Sequence, residues 1–75
     1  MTDSITLDVK GLGCPVPIIR ANRAVKEMIP GDVLVVLATD PDVPQDFKIF
    51  CNTTGHKLLS CEFENKIFVV RLEVT

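Results

Sequence analysis

Cys14 is the residue in this chain best placed to do covalent chemistry. It sits in the run Gly13-Cys14-Pro15-Val16-Pro17, with a helical pattern directly behind it. A cysteine at a helix entrance faces unpaired backbone N–H groups and the positive end of the helix dipole. Both favour the thiolate, which is the nucleophile, so a lowered thiol pKa is expected. Pro15 suits the first helical position, where its fixed φ is preset and the N–H it lacks would have had no partner. Pro17 disfavours the helical region for Val16, so the helix starts at Pro15 or at Pro17. In either register the prolines stiffen the entrance, and Gly11 and Gly13 make the approach a tight surface loop of the kind that carries function. The opposing reading is that most cysteines are small core hydrophobes.

The other reactive side chains read as structural. Cys51 falls in the helical stripe Val43, Phe47, Phe50, Cys51 and Thr54, and Cys61 in the alternation Leu59, Cys61, Phe63. Both are expected to point into the core and to react slowly. His56 follows Gly55 at a helix end, where it could cap terminal carbonyls. Asp40, Asp42 and Asp46 stand among prolines, as a turn and the acidic start of a helix, without the glycine pattern of a calcium loop. Cys14, Cys51, Cys61 and His56 match no short zinc-ligand spacing, so no metal and no cofactor is expected. Phosphate-loop, dinucleotide and Ser-His-Asp patterns are absent. One thiol without a nearby resolving cysteine suits accepting and passing on a group better than a dithiol redox cycle. Arg20, Arg23 and Lys26 lie on the polar side of the helix behind Cys14. They form either a plain solvated face or one that attracts an acidic partner or an RNA phosphate backbone.

These residues need elements to position them. Ile5–Val9 alternates and reads as a half-buried strand. The first helix runs to about Ile29 with the stripe Ile18, Ala21, Val25 and Met28, and Pro30-Gly31 ends it. Val33–Ala38 is a continuous, β-branched apolar run suited to a central strand. A second helix fits Pro44–Thr54, with Gly55 as its stop. Lys57–Phe63 and Ile67–Val74 are strands around a tight turn at Asn65-Lys66. The order β-α-β-α-β-β predicts an α+β fold, a two-layer α/β sandwich. Its four-stranded mixed sheet carries two helices on one face, with a parallel pair across the first helix and a terminal hairpin.

Seventy-five residues suffice for a single domain, 1–75. A net charge of −2 gives no reason to expect direct nucleic-acid binding. Three cysteines, an odd count with no C-x-x-C pair, make a poor disulfide framework, which points to a reducing, cytoplasmic setting. No apolar stretch of signal length opens the chain. The longest apolar run, Val33–Ala38, is far too short to span a bilayer, so no membrane association is expected. A monomer is expected.

The segment Leu7-Asp8-Val9-Lys10-Gly11-Leu12-Gly13-Cys14-Pro15-Val16-Pro17 resembles the signature of the TusA-like (SirA-like) sulfur carriers. Pro30-Gly31-Asp32, the apolar strand after it, Asp40-Pro41, Asp46 and Gly55-His56 extend the resemblance over nearly the whole chain. It implies a carrier that holds sulfane sulfur as a persulfide on Cys14, with Gly13, Pro15 and Pro17 supporting it. It also implies a cysteine desulfurase or rhodanese-type donor and a downstream sulfur-relay protein as acceptor. The pathway would be tRNA wobble-uridine thiolation, sulfur oxidation or cofactor assembly. Two other classes stand beside it: a non-catalytic interaction or regulatory module in which Cys14 only caps the helix, and a thiol oxidoreductase.

Overall fold

Alternating apolar side chains set the first strand and a continuous apolar run the central one, and the segments between the strands coil where the spacing changes to three and four. A computed structural model describes residues 3–75. Its elements are β1 (Ser4–Val9), α1 (Val16–Lys26), β2 (Val33–Ala38), α2 (Val43–Thr54), β3 (Lys57–Glu64) and β4 (Ile67–Glu73). The sheet order is β1-β2-β4-β3. β1 and β2 are parallel, and β4 runs antiparallel to both β2 and β3. This is the mixed four-stranded sheet the sequence predicts.

The register explains why one face is dry. Leu7, Val36 and Val70 lie side by side across three strands. Val9, Leu34, Val36, Ala38, Val70 and Leu72 on that face are fully buried. Ala21, Val25 and Met28 after and along α1 cover them, with Val43, Phe47, Phe50 and Cys51 of α2. Burying one large apolar side chain of this kind contributes about 1.5–3 kcal/mol. Val33, Val35 and Leu37 alternate onto the opposite face and are only half-buried. Both helices therefore sit on one side of the sheet.

Boundaries differ from the sequence reading in instructive ways. α1 begins at Val16, with Pro15 as its cap residue and Pro17 at the second helical position. The first turn lacks carbonyl partners four residues back, so a proline there breaks no bond. The Cys14–Pro15 peptide is cis. α1 also stops at Lys26 rather than near Ile29. The Glu27 and Met28 N–H groups turn to the carbonyls of Ala24 and Val25, at 3.1 and 3.2 Å, tightening the last turn while Met28 stays buried. α2 starts at Val43, one residue early. It ends as expected at Gly55, whose φ of +87° is left-handed and whose N–H meets the Cys51 carbonyl at 2.9 Å. Asn65 and Lys66 both have positive φ, as a type I′ hairpin turn requires.

Two core assignments are wrong. Cys61 is exposed, as are Leu59 and Phe63. A bulge between Leu58 and Ser60 adds a residue, so Leu58 pairs with Leu72 but Ser60 with Arg71 and Cys61 with Val70. The strict period of two fails at Leu59. Cys61 and Phe63 return to the helix-side face beside Val70 and Phe68, but on the edge strand β3 both stay exposed. Phe63 finds one partner there, Phe68, with ring centroids 4.5 Å apart. Thr54 is also outside the core, its hydroxyl donating to the Phe50 carbonyl at 2.7 Å.

Phe47 is fully buried and touches the other aromatic of its helix edge-on, Phe50, at 5.9 Å between centroids. Phe47→Ala should cost about 3–5 kcal/mol, a large share of the ~5–15 kcal/mol total for a domain. Urea unfolding followed by circular dichroism measures it. A loss under ~1 kcal/mol would show that the core closes over the gap.

Candidate functional site

Parallel pairing of β1 with β2 sets Val9 beside Ala38, so the loops leaving both strands emerge at the same end of the sheet. They are tied together by side chains of the second loop. The Gly11 N–H donates to Thr39 Oγ1 at 2.9 Å, and the Cys14 N–H donates to Asp40 Oδ2 at 2.7 Å. The other Asp40 oxygen accepts the Asp42 N–H at 3.0 Å. Gly11 has a φ of +80°, a conformation that favours glycine. The Val16 N–H closes onto the Gly13 carbonyl at 3.0 Å. A Cβ on Gly13 would only reach Asp40 Oδ2 at 4.0 Å, an ordinary contact.

Cys14 is thus exposed at the head of a groove of about 320 Å³ between the start of α1 and the flank of α2. Pro15, Ile18, Ile49 and Phe50 make its walls apolar, and Asp46 is the acidic group among them. Pro17 is buried beneath the first turn.

The thiol's acidity runs against the sequence expectation. The Cys14 pKa is raised, foremost by Asp46 as acceptor of a thiol hydrogen bond, then by loss of solvent and by the charges of Asp46, Asp40 and Asp42. Accepting the S–H stabilises the neutral form, and nearby negative charge disfavours the thiolate. The α1 dipole offers only about half a positive charge against this. α1 has no acidic residue in its own first turn. The carboxylates arrive from the β2–α2 segment, which a reading of the Cys14 segment alone does not bring near.

Of the remaining candidates, Arg20, Arg23 and Lys26 are exposed along α1. None lines the groove, and none enters an ion pair among the described residues. Cys51 is buried and Cys61 lies out on β3, both with pKa values raised by burial. His56 does not cap α2. Its Nδ1 accepts the Thr75 N–H at 3.3 Å, while the Thr75 hydroxyl donates to the Gly55 carbonyl at 2.8 Å. Among the described residues no three His, Cys, Asp or Glu side chains form a set that could hold a metal ion. Nor is any of their helices long and apolar enough to cross a membrane.

Residues 5–74 match the family model described as Sulfurtransferase TusA. A Neisseria meningitidis chain is 52% identical over 68 residues, spanning 91% of this chain and 92% of that one. The sulfur carrier protein TusA of Pseudomonas entomophila is 45% identical over 85% of this chain and 84% of its own. The crystal structure of a SirA-like protein from Desulfitobacterium hafniense superposes with a TM-score of 0.82 at 30% identity, covering 92% of this chain and 95% of that one.

Two measurements test the site's electrostatics and exposure. Asp46→Asn removes a charge that opposes the thiolate, so the alkylation profile of Cys14 should move to lower pH and its rate at pH near 7 should rise. An unchanged or upward midpoint would show that Asp46 does not control the thiol. In native protein, mass-mapped alkylation should find Cys14 and Cys61 modified and Cys51 protected until denaturation. Early modification of Cys51 would contradict the packing of α2.

Proposed function

The chain belongs to the TusA sulfurtransferase family, and from that premise we propose that it is a sulfur carrier whose cargo rides on Cys14 as a persulfide. The observation that carries the reading is an exposed thiol at the head of an apolar groove, on a residue whose backbone N–H is held by Asp40. A partner's cysteine loop could lie in that groove. Relatives named as sulfur carriers support it.

The chemistry is a pair of exchanges without net oxidation. The Cys14 thiolate attacks the outer sulfur of a donor persulfide. A new S–S bond forms on Cys14, the donor's S–S bond breaks, and the donor leaves as a thiolate. In the second step an acceptor thiolate attacks the outer sulfur of Cys14–S–SH, and Cys14 departs as the thiolate. A raised pKa slows each step at neutral pH but only in part. In the first step a tenfold smaller thiolate fraction is offset about threefold by the greater nucleophilicity of a more basic sulfur, and in the second a more basic Cys14 thiolate leaves less readily. Docking of a cationic partner surface near Asp40, Asp42 and Asp46 would lower the thiol pKa at the moment of transfer. Pro15 and Pro17 hold the helix entrance in place, and Arg20, Arg23 and Lys26 steer the encounter. A cysteine desulfurase or rhodanese is the donor class and a sulfur-relay protein the acceptor, in the cytoplasm, with tRNA thiolation or another sulfur-trafficking route downstream.

Incubation with a cysteine desulfurase and cysteine should add one sulfur atom, removable by reductant, as read by intact mass. Cys14→Ser should abolish the gain and Cys61→Ser should keep it. Loading that survives Cys14→Ser would reassign the carrier residue. With Arg20→Glu and Arg23→Glu together, loading should slow about tenfold at low salt, with little change in thermal midpoint. An unaltered rate and salt dependence would place the donor on another face.

A further inference from the structure

On the other flank of α2 lies a second depression, an open cleft of about 730 Å³, within the ~300–1,000 Å³ span of small-molecule sites. Ile49 is shared between the two hollows. The rest of the lining includes Lys48, Asn52, His56 and Leu58. Its polar groups can all donate. The Lys48 ammonium is donor-only, and the Asn52 carboxamide offers two N–H groups. His56 Nδ1 already accepts the Thr75 N–H, so the neutral ring carries its proton on Nε2. No aspartate or glutamate lines the cleft, and Lys48 has no carboxylate partner among the described residues. Its apolar walls are Ile49, 56% exposed, and Leu58.

We propose that this cleft binds a small organic carboxylate, its head on Lys48, Asn52 and His56 and a short aliphatic tail against Ile49 and Leu58. The opposing effect is the negative end of α2, about half a charge. Of the four terminal carbonyls of α2, that of Cys51 already accepts the Gly55 N–H at 2.9 Å. A full ammonium charge outweighs what is left.

Titration of the isotopically labelled full chain with pentanoate, followed by amide chemical shifts, tests this without any sulfur donor, so its outcome is separate from that of the loading experiment. Saturable shifts should appear at Asn52, Gly55 and His56 with pentanoate and not with pentanol. Lys48→Gln should weaken binding about tenfold, the loss of one charge-assisted bond, while Lys66→Gln on the hairpin turn should leave it unchanged. Equal response to pentanol would overturn the carboxylate specificity. Shifts that never saturate, or an equal loss in Lys66→Gln, would overturn the site.

Discussion

Asp40 joins the two loops that leave the parallel strands, one carboxylate oxygen taking the Cys14 N–H and the other the Asp42 N–H. Hydrogen bonds to an ionised acceptor are about twice as strong as neutral ones. This bridge therefore fixes the backbone of Cys14 relative to α2. The groove exists only because α1 and α2 keep that spacing. The bridge in turn depends on β1 and β2 being parallel neighbours, which brings residues 26 positions apart into contact.

The arrangement that positions the thiol also restrains it. Asp40 and Asp42 sit where a helix welcomes negative charge, ahead of α2 or at its cap, and Asp46 lies in its first turn. The charges that suit α2 are the ones that oppose a thiolate at the head of α1. Two helix entrances side by side give contrary instructions to one sulfur, and the three carboxylates prevail. A thiol kept protonated is a poor target for stray electrophiles and oxidants.

The element order, the mixed sheet and the exposed Cys14 were legible because each rests on local signals: alternation around Leu7, the 3–4 spacing of Ala21 and Val25, and glycine at 55. What was not legible rests on contacts across the fold. Asp40 read as a turn former because its partner lies on the preceding loop. The raised pKa of Cys14 comes from Asp46 of α2 and from Asp40 and Asp42 ahead of it, not from the helix that follows the cysteine. Cys61 shares the helix-side face with Val70, but alternation alone does not show that its strand lies at the sheet edge, where it stays exposed. The partner of His56, the Thr75 N–H, lies 19 residues on and reaches it only through the pairing of the C-terminal strand. Each miss is a place where a neighbour in space overrules a neighbour in sequence.

The irregularity at Leu59 has a consequence for how these molecules behave when crowded. β3 is an edge of the sheet, and its outer N–H and C=O groups could template strand addition by another chain. Apolar Leu58, Leu59 and Phe63 would favour that stacking. The extra residue bends the strand and breaks its ladder near the middle, and the exposed Glu62 and Glu64 add like charge along the remainder. The bulge that shifts the phase of β3 at Leu59 thus spoils the edge as a surface for intermolecular sheet growth.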